Sequence, residues 1–211
     1  MHKGTGVLVS EESMRQIKSK LSWGLFCALA LYGLTASVHA ASFLPKNFDE
    51  LVGEAEQIFV GVVVSAQPRQ QPAGAIVTDV SFGGIELLKG TVAEGYVLTV
   101  LGGEIGGQGM EIAGVPKFQP GARYLVFVTG NGQVFYPFVG GDQGVFQVRD
   151  DVTGTARVYN GFGGPSAIAA NAQAAALQSG QISKAPFAQP QPADPVSLDA
   201  FKAVIRSRLG R

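Results

Sequence analysis

The chain is 211 residues long and carries 16 Lys and Arg against 16 Asp and Glu, a size that suits one globular domain with appendages. Its charges balance and are spread along the chain, so they give no footprint for nucleic acid or an anionic membrane surface. A single Cys, a single Trp and two His leave little material for thiol, soft-metal or imidazole chemistry.

Residues 1–40 read as a secretory signal peptide. Arg15, Lys18 and Lys20 form a basic start, Leu21 to Leu34 is the apolar stretch, and Val38-His39-Ala40 supplies the cleavage site, predicting a mature chain from Ala41. Glu11 and Glu12 are out of place ahead of a basic start, which points to translation from Met14 in place of Met1, against the alternative of a longer leader. A leader retained as an anchor is the alternative, but the apolar stretch falls short of the roughly 17 to 25 residues a span needs. Cys27 lies inside that stretch without the small preceding residue of a lipoprotein signal. Cleavage would remove His2, His39, Cys27 and Trp23 together. The mature chain is then expected to have no His- or Cys-based triad, no Cys/His zinc site, no cofactor and no disulfide, and to be held by its core alone.

Asn47-Phe48-Asp49-Glu50 is a helix start, with Asn47 as cap and Glu50 reaching back. Gly53 ends that short helix, and Phe48, Leu51 and Val52 face the core. Gln57 to Ser65 is a continuous β-branched and aromatic run, the pattern of a strand buried on both faces, with Gly61 marking a bulge or a close backbone approach. A loop over Pro68 to Gly74 leads to a long strand from Ile76 to Leu88, kinked at Gly83-Gly84, and Lys89-Gly90 turns the chain. Tyr96 to Leu101 is the third strand.

The following GGEIGGQG run lacks the P-loop and Rossmann spacings and reads as a wide hairpin or edge loop. Arg123 to Thr129 is a clear strand, joined through Asn131-Gly132 to a partner strand over Gln133 to Val139 that contains Pro137. Strands at Val145 to Arg149 and Arg157 to Tyr159 follow.

These elements predict an all-β domain over 41–160: a small closed or partly open antiparallel barrel, OB-like, of about seven strands, with a short N-terminal helix. Residues 161–195, rich in Ala, Gln and Pro, read as a linker holding at most one unstable helix between Ser166 and Gln178. Residues 196–211 form a C-terminal amphipathic helix capped by Ser197, with Leu198, Phe201, Ile205 and Leu209 as an apolar stripe that docks on the barrel or on another protein.

The chemistry left to such a chain is that of carboxylates. Glu104 and Asp142, both on glycine-rich turns, are the pair that would serve as acid and base on a glycoside, against the alternative of solvated turn residues. Asp150-Asp151 lacks the alternating ligands of an EF-hand loop and reads as a surface acidic pair.

The segments FVGVVVS (Phe59 to Ser65), ELLKG (Glu86 to Gly90), GGEIGG (Gly102 to Gly107), PGARYLVFV (Pro120 to Val128) and GGDQGVFQV (Gly140 to Val148) together resemble a group of exported bacterial β-barrel proteins of unassigned function. The first two are also similar to the barrel of tissue inhibitors of metalloproteinases and netrin-like modules. Those inhibitors reach the protease zinc through an N-terminal cysteine, and a chain beginning Ala41-Ser42-Phe43 has none.

The expected function is that of a periplasmic or secreted, non-enzymatic binding module. Its partner would be another exported protein, a protease among them, or an envelope component, with no nucleic acid and no membrane insertion after signal cleavage. The candidate contact loop comprises Gly102, Gly103, Glu104, Gly106, Gly107 and Asp142; the candidate docking helix carries Leu198, Phe201, Ile205 and Leu209. The competing expectations are a carboxylate-dependent hydrolase of envelope or extracellular glycans and a protease inhibitor.

Overall fold

The computed structural model describes residues 44–112, 114–177 and 195–210; the leader and its cleavage site lie outside the described residues. Helix α1 (Phe48–Glu54) starts on a capping box in which Asn47 accepts from the Glu50 N–H and the Glu50 carboxylate accepts from the Asn47 N–H. It leads into the long hairpin of β1 (Gln57–Gln70) and β2 (Ile76–Lys89). Then come β3 (Val97–Leu101), the short β4 (Gly103–Ile105) and β5 (Gln108–Met110), β6 (Arg123–Val128), a 3-10 turn at Gly141–Gly144, β7 (Val145–Asp150) and β8 (Ala156–Asn160). Helix α2 (Ala167–Leu177), a two-residue β9 (Val196–Ser197) and helix α3 (Leu198–Arg208) complete the chain.

Seven strands form one antiparallel sheet in the order β3-β2-β1-β6-β7-β8-β9, and β4 and β5 form a second, two-stranded sheet. The terminal strands β3 and β9 do not pair with each other, so the closed barrel expected from the sequence is corrected to an open sheet. The reason lies in the central strands, which are apolar on both faces. In β1, Ile58 and Val60 enter one core while Phe59 and Val63 enter another; in β6, Leu125 and Phe127 part in the same way from Tyr124, Val126 and Val128. A small closed barrel has one interior, whereas this sheet has two apolar faces to cover.

The three helices cover the first face. Phe201 of α3 is fully buried there, with its ring 5.2 Å from Phe146 and 5.5 Å from Phe48. Helix α2 contributes Ala169 and Ala172, both buried, so the alanine-rich stretch within the segment read as a linker packs as part of the core. Small side chains allow that close approach, and Ser166 Oγ accepts from the Ala169 N–H to start the helix. Residues 178–194 lie outside the described residues. Val196, expected in the C-terminal helix, instead pairs with Val158 as strand β9.

The second face is filled by side chains of the sheet itself as it curls. β1 departs from regular register between Ile58 and Phe59, Val60 and Val62, and Val63 and Ser65, and such bulges increase bend and twist. Gly61 sits in the middle one, where an added Cβ would lie 3.2 Å from the Phe82 ring. Phe118 is the hub of an aromatic cluster, with its ring 4.8 Å from Tyr124, 5.6 Å from Phe138 and 6.0 Å from Phe82.

Gln133 to Val139, expected as a strand, is irregular and makes only isolated bridges, from Phe138 to Val128 and from Val134 to Asn131. Pro137 has no N–H to donate to a ladder, and its carbonyl accepts from Thr129 while Phe127 O accepts from Val139 N–H. The segment crosses to the far edge of the sheet, where Phe135 O accepts from the Leu101 N–H at 2.8 Å. Among the described residues, no helix is long and apolar enough to cross a membrane.

Candidate functional site

The glycine-rich run after β3 folds as a tight hairpin. Gly106 (φ +57°) and Gly107 (φ +80°) form its two-residue turn, and positive φ at both positions is the requirement of the turn that matches strand twist. Ile105 pairs with Gln108, Glu104 with Gly109 and Gly103 with Met110. The base of the hairpin is fastened to β2, since the Gly102 N–H donates to Ile76 O at 2.8 Å and Thr78 Oγ1 donates to Gly102 O at 2.7 Å. At Gly103 an added Cβ would lie 2.7 Å from Thr78 Oγ1, so only glycine permits the approach.

Between this hairpin, strands β2 and β3, and the residues Glu111, Ile112 and Val115 to Phe118 lies a cleft of about 270 Å³. Met110, Ile112 and Val115 supply its apolar surface, over the buried side chains of Val80, Val100 and Phe118. Glu104, Glu111 and Lys117 supply the charges, and Lys117 pairs with Glu111 at 3.1 Å, both largely exposed. The far wall is anchored from inside the fold: Tyr136 OH donates to Gly114 O at 3.1 Å, and Tyr124 OH donates to Lys117 O at 3.3 Å. Burial pushes both phenols above their ordinary value, the nearby Asp142 charge adding to the rise at Tyr136. Both therefore stay protonated and able to donate at any ordinary pH.

Of the residues expected in the contact loop, Gly102, Gly103 and Glu104 line this cleft, and Gly106 and Gly107 form the hairpin tip beyond it. Asp142 does not line it. It sits in the 3-10 turn before β7, where burial raises its pKa against opposing hydrogen bonds from backbone N–H groups of residues 142 and 143. Its neighbour Gln143 ties down the N-terminal segment, accepting from Lys46 N–H and donating to Leu44 O. The cleft thus holds Glu104 without the second carboxylate of the acid-base pair.

The apolar stripe of α3 packs inward. Leu198, Phe201 and Ile205 are buried and Leu209 packs beside them against the sheet and its neighbouring helices, while Glu86 on β2 binds Lys202 at 3.0 Å and Arg206 at 2.9 Å. The acidic pair is also engaged within the fold: Asp150 pairs with Arg123, and Asp151 accepts from Thr153, Thr155 and Arg157. Among the described residues, no group of three or more His, Cys, Asp or Glu is placed to share a metal ion.

Sequence reasoning did not find the floor and wall of the cleft, Val80, Val100, Val115 and Phe118. Each reads locally as an ordinary strand or loop residue, and only the curl of the sheet brings them together. The fold and site define an open, two-core antiparallel sheet with a lateral apolar cleft roofed by a glycine hairpin. No family model, curated protein or solved structure matches the chain.

Proposed function

We propose that the protein is an exported, non-enzymatic binding module, periplasmic or secreted, that takes an exported protein or envelope component on the cleft under the β4-β5 hairpin. The supporting observation is the cleft itself: an open concavity with an apolar floor, a wall anchored by Tyr124 and Tyr136, and few charged groups at its rim. Concave, mostly apolar sites with a few placed polar groups are the usual form of a binding site. The apolar stripe of α3, by contrast, is already packed inside the molecule. Within this reading the curl of β3-β2-β1-β6, bridged by the segment from Asn131 to Val139, is the partly open, OB-like half of the fold.

The test is a pull-down from envelope extract with the intact protein and with Gly109→Phe. Gly109 lines the cleft, has no positive φ, and an added Cβ meets nothing within 4 Å, so a ring there adds bulk at the margin of the cleft without straining the strand. A partner retained by the intact protein and lost from the variant at unchanged melting temperature is the expected result. Recovery of the same partner by both, or of none by either, would overturn the reading.

A further inference from the structure

We infer that Arg149 anchors a second binding site, on the second face of the sheet at β7-β8, and that its ligand is a carboxylate. Gln147, Arg149 and Tyr159 do not line the cleft, so the site stands apart from the cleft and does not depend on its being occupied. Three observations carry the assignment.

The first is a charge left over. Arg69, Arg123, Arg157, Arg206 and Arg208 each hold a carboxylate at 2.6 to 2.9 Å, whereas Arg149, on the exposed end of β7, has no ion pair among the described residues. The carboxylates that follow it in the chain are engaged elsewhere: Asp150 is held by Arg123 and Asp151 by Arg157.

The second is a pair of like charges. Arg157 stands directly across from Arg149 in the β7-β8 ladder, and like charges in that position repel. Between them the two guanidinium groups have one carboxylate, that of Asp151, and Arg157 binds it. An anion on Arg149 would offset the repulsion. The unbalanced charge is a single one, which suits a carboxylate better than a phosphate of about two charges.

The third is preorganisation. Val145, Gln147 and Arg149 alternate along β7 and so share the face on which Val145 enters the second core. The Arg149 guanidinium lies over the Tyr159 ring, 5.1 Å from its centroid, and donates through Nη2 to Gln147 Oε1. Tyr159 is the residue across from Gln147, a diagonal position within reach of a long side chain. The backbone of Gly163 rests against the same group: its φ is +85°, and an added Cβ would fall on the guanidinium. Asn160 fixes that loop, its Oδ1 accepting from the Phe162 and Gly164 N–H groups and its Nδ2 donating to Pro165 O. A guanidinium offers five N–H donors in a planar fork that matches a carboxylate, and among the described residues Arg149 uses its donors on Gln147 alone. A fork held in place before its ligand arrives lowers the ordering cost of binding.

The test follows the Arg149 Nε–H signal of the intact protein by NMR, at constant ionic strength, as sodium acetate, chloride or phosphate or the acetylated, amidated tripeptide Gly-Glu-Gly is added. Acetate is expected to shift this signal and the Gly163 amide saturably while the paired arginines stay in place. Arg149→Lys keeps the charge and loses the fork; at unchanged melting temperature it should weaken acetate binding, read at Gly163, by about threefold, the scale of an exposed ion pair. Tighter binding of the tripeptide than of acetate would assign the carboxylate to an acidic segment of a partner protein, and the reverse to a free organic acid; both support the site. Equal responses to acetate and chloride would overturn it, and phosphate binding more tightly than acetate would overturn the choice of carboxylate. Pro195 O accepts from Arg157, so Asp194→Asn is titrated as well: a response seen only in that variant would give Arg149 to the chain's own carboxylate and overturn the proposal.

Discussion

Asn131 completes the edge of β3: its side-chain amide donates to Val97 O at 2.7 Å while its Oδ1 accepts from the Thr99 N–H at 3.2 Å. One side chain thus imitates a backbone strand residue where no ladder exists. Asn131→Asp keeps the shape but loses the donor and sets a carboxylate against a carbonyl. It is expected to lower stability by about 1 kcal/mol and to speed hydrogen exchange at Thr99 and Leu101. Unchanged exchange at both amides would show that the edge is held some other way.

Phe118 belongs both to the aromatic hub and to the cleft wall. Phe118→Ala removes a ring in contact range of Phe82, Tyr124 and Phe138, and denaturant unfolding is expected to show a loss of about 3 kcal/mol, at the lower end for a buried aromatic. The conservative Phe118→Leu should recover most of that loss. If Phe118→Ala cost less than about 1 kcal/mol, the hub would not be supporting the wall.

The C-terminal helix is held by two different kinds of contact. Glu86 receives both Lys202 and Arg206 across a partly exposed surface, and Glu86→Gln is expected to cost less than about 1 kcal/mol. Phe201→Ala, at a fully buried site, is expected to cost about 3 to 5 kcal/mol. A reversal of this order in equilibrium unfolding would mean that charge, not burial, seats the helix.

Acid should weaken the fold through two surface carboxylates. The Arg69 guanidinium, together with Thr99, holds Asp79 below its ordinary value, and Thr153 and Arg157 hold Asp151 far below it. A carboxylate with a depressed folded-state pKa contributes stability above its unfolded value of about 3.9, and that contribution disappears as pH falls through the folded value. The melting temperature is therefore expected to fall below about pH 4, and the double variant Asp79→Asn/Asp151→Asn should fall less steeply. Asp142 has the opposite sign. Burial raises its pKa, so its charge opposes folding above the unfolded value, and Asp142→Asn is expected to raise the melting temperature at neutral pH. A drop there would show that the carboxylate is stabilised by contacts stronger than its desolvation.

Elements whose cause is local were legible in the chain itself. The capping box at Asn47 and Glu50, the strand from Gln57 to Ser65, buried on both faces as far as Gly61 though Val62 and Val64 are exposed, the bulge at Gly61 and the Ser197-capped helix each follow from neighbouring residues acting through fixed periodicities and backbone constraints. Where the determinant was distant, the reading failed. Pro137 could be recognised as a misfit in a ladder, but not that its segment would cross to Leu101. Helix α2 falls within the expected Ser166 to Gln178, but its alanines show no apolar stripe, and Ala169 and Ala172 have a core to enter only where α1, α3 and β9 come together.

The site divides along the same line. Gly106-Gly107 announces a turn because φ must be positive there, so the hairpin and Glu104 were within reach of the sequence. The cleft beneath was not, because Val80, Val100, Val115 and Phe118 meet only when the bulges of β1 curl the sheet. Whether that curl closed into a barrel was decided by tertiary packing: the strands had apolar side chains for two faces, the curl of the sheet filled one, and three helices were there to cover the other.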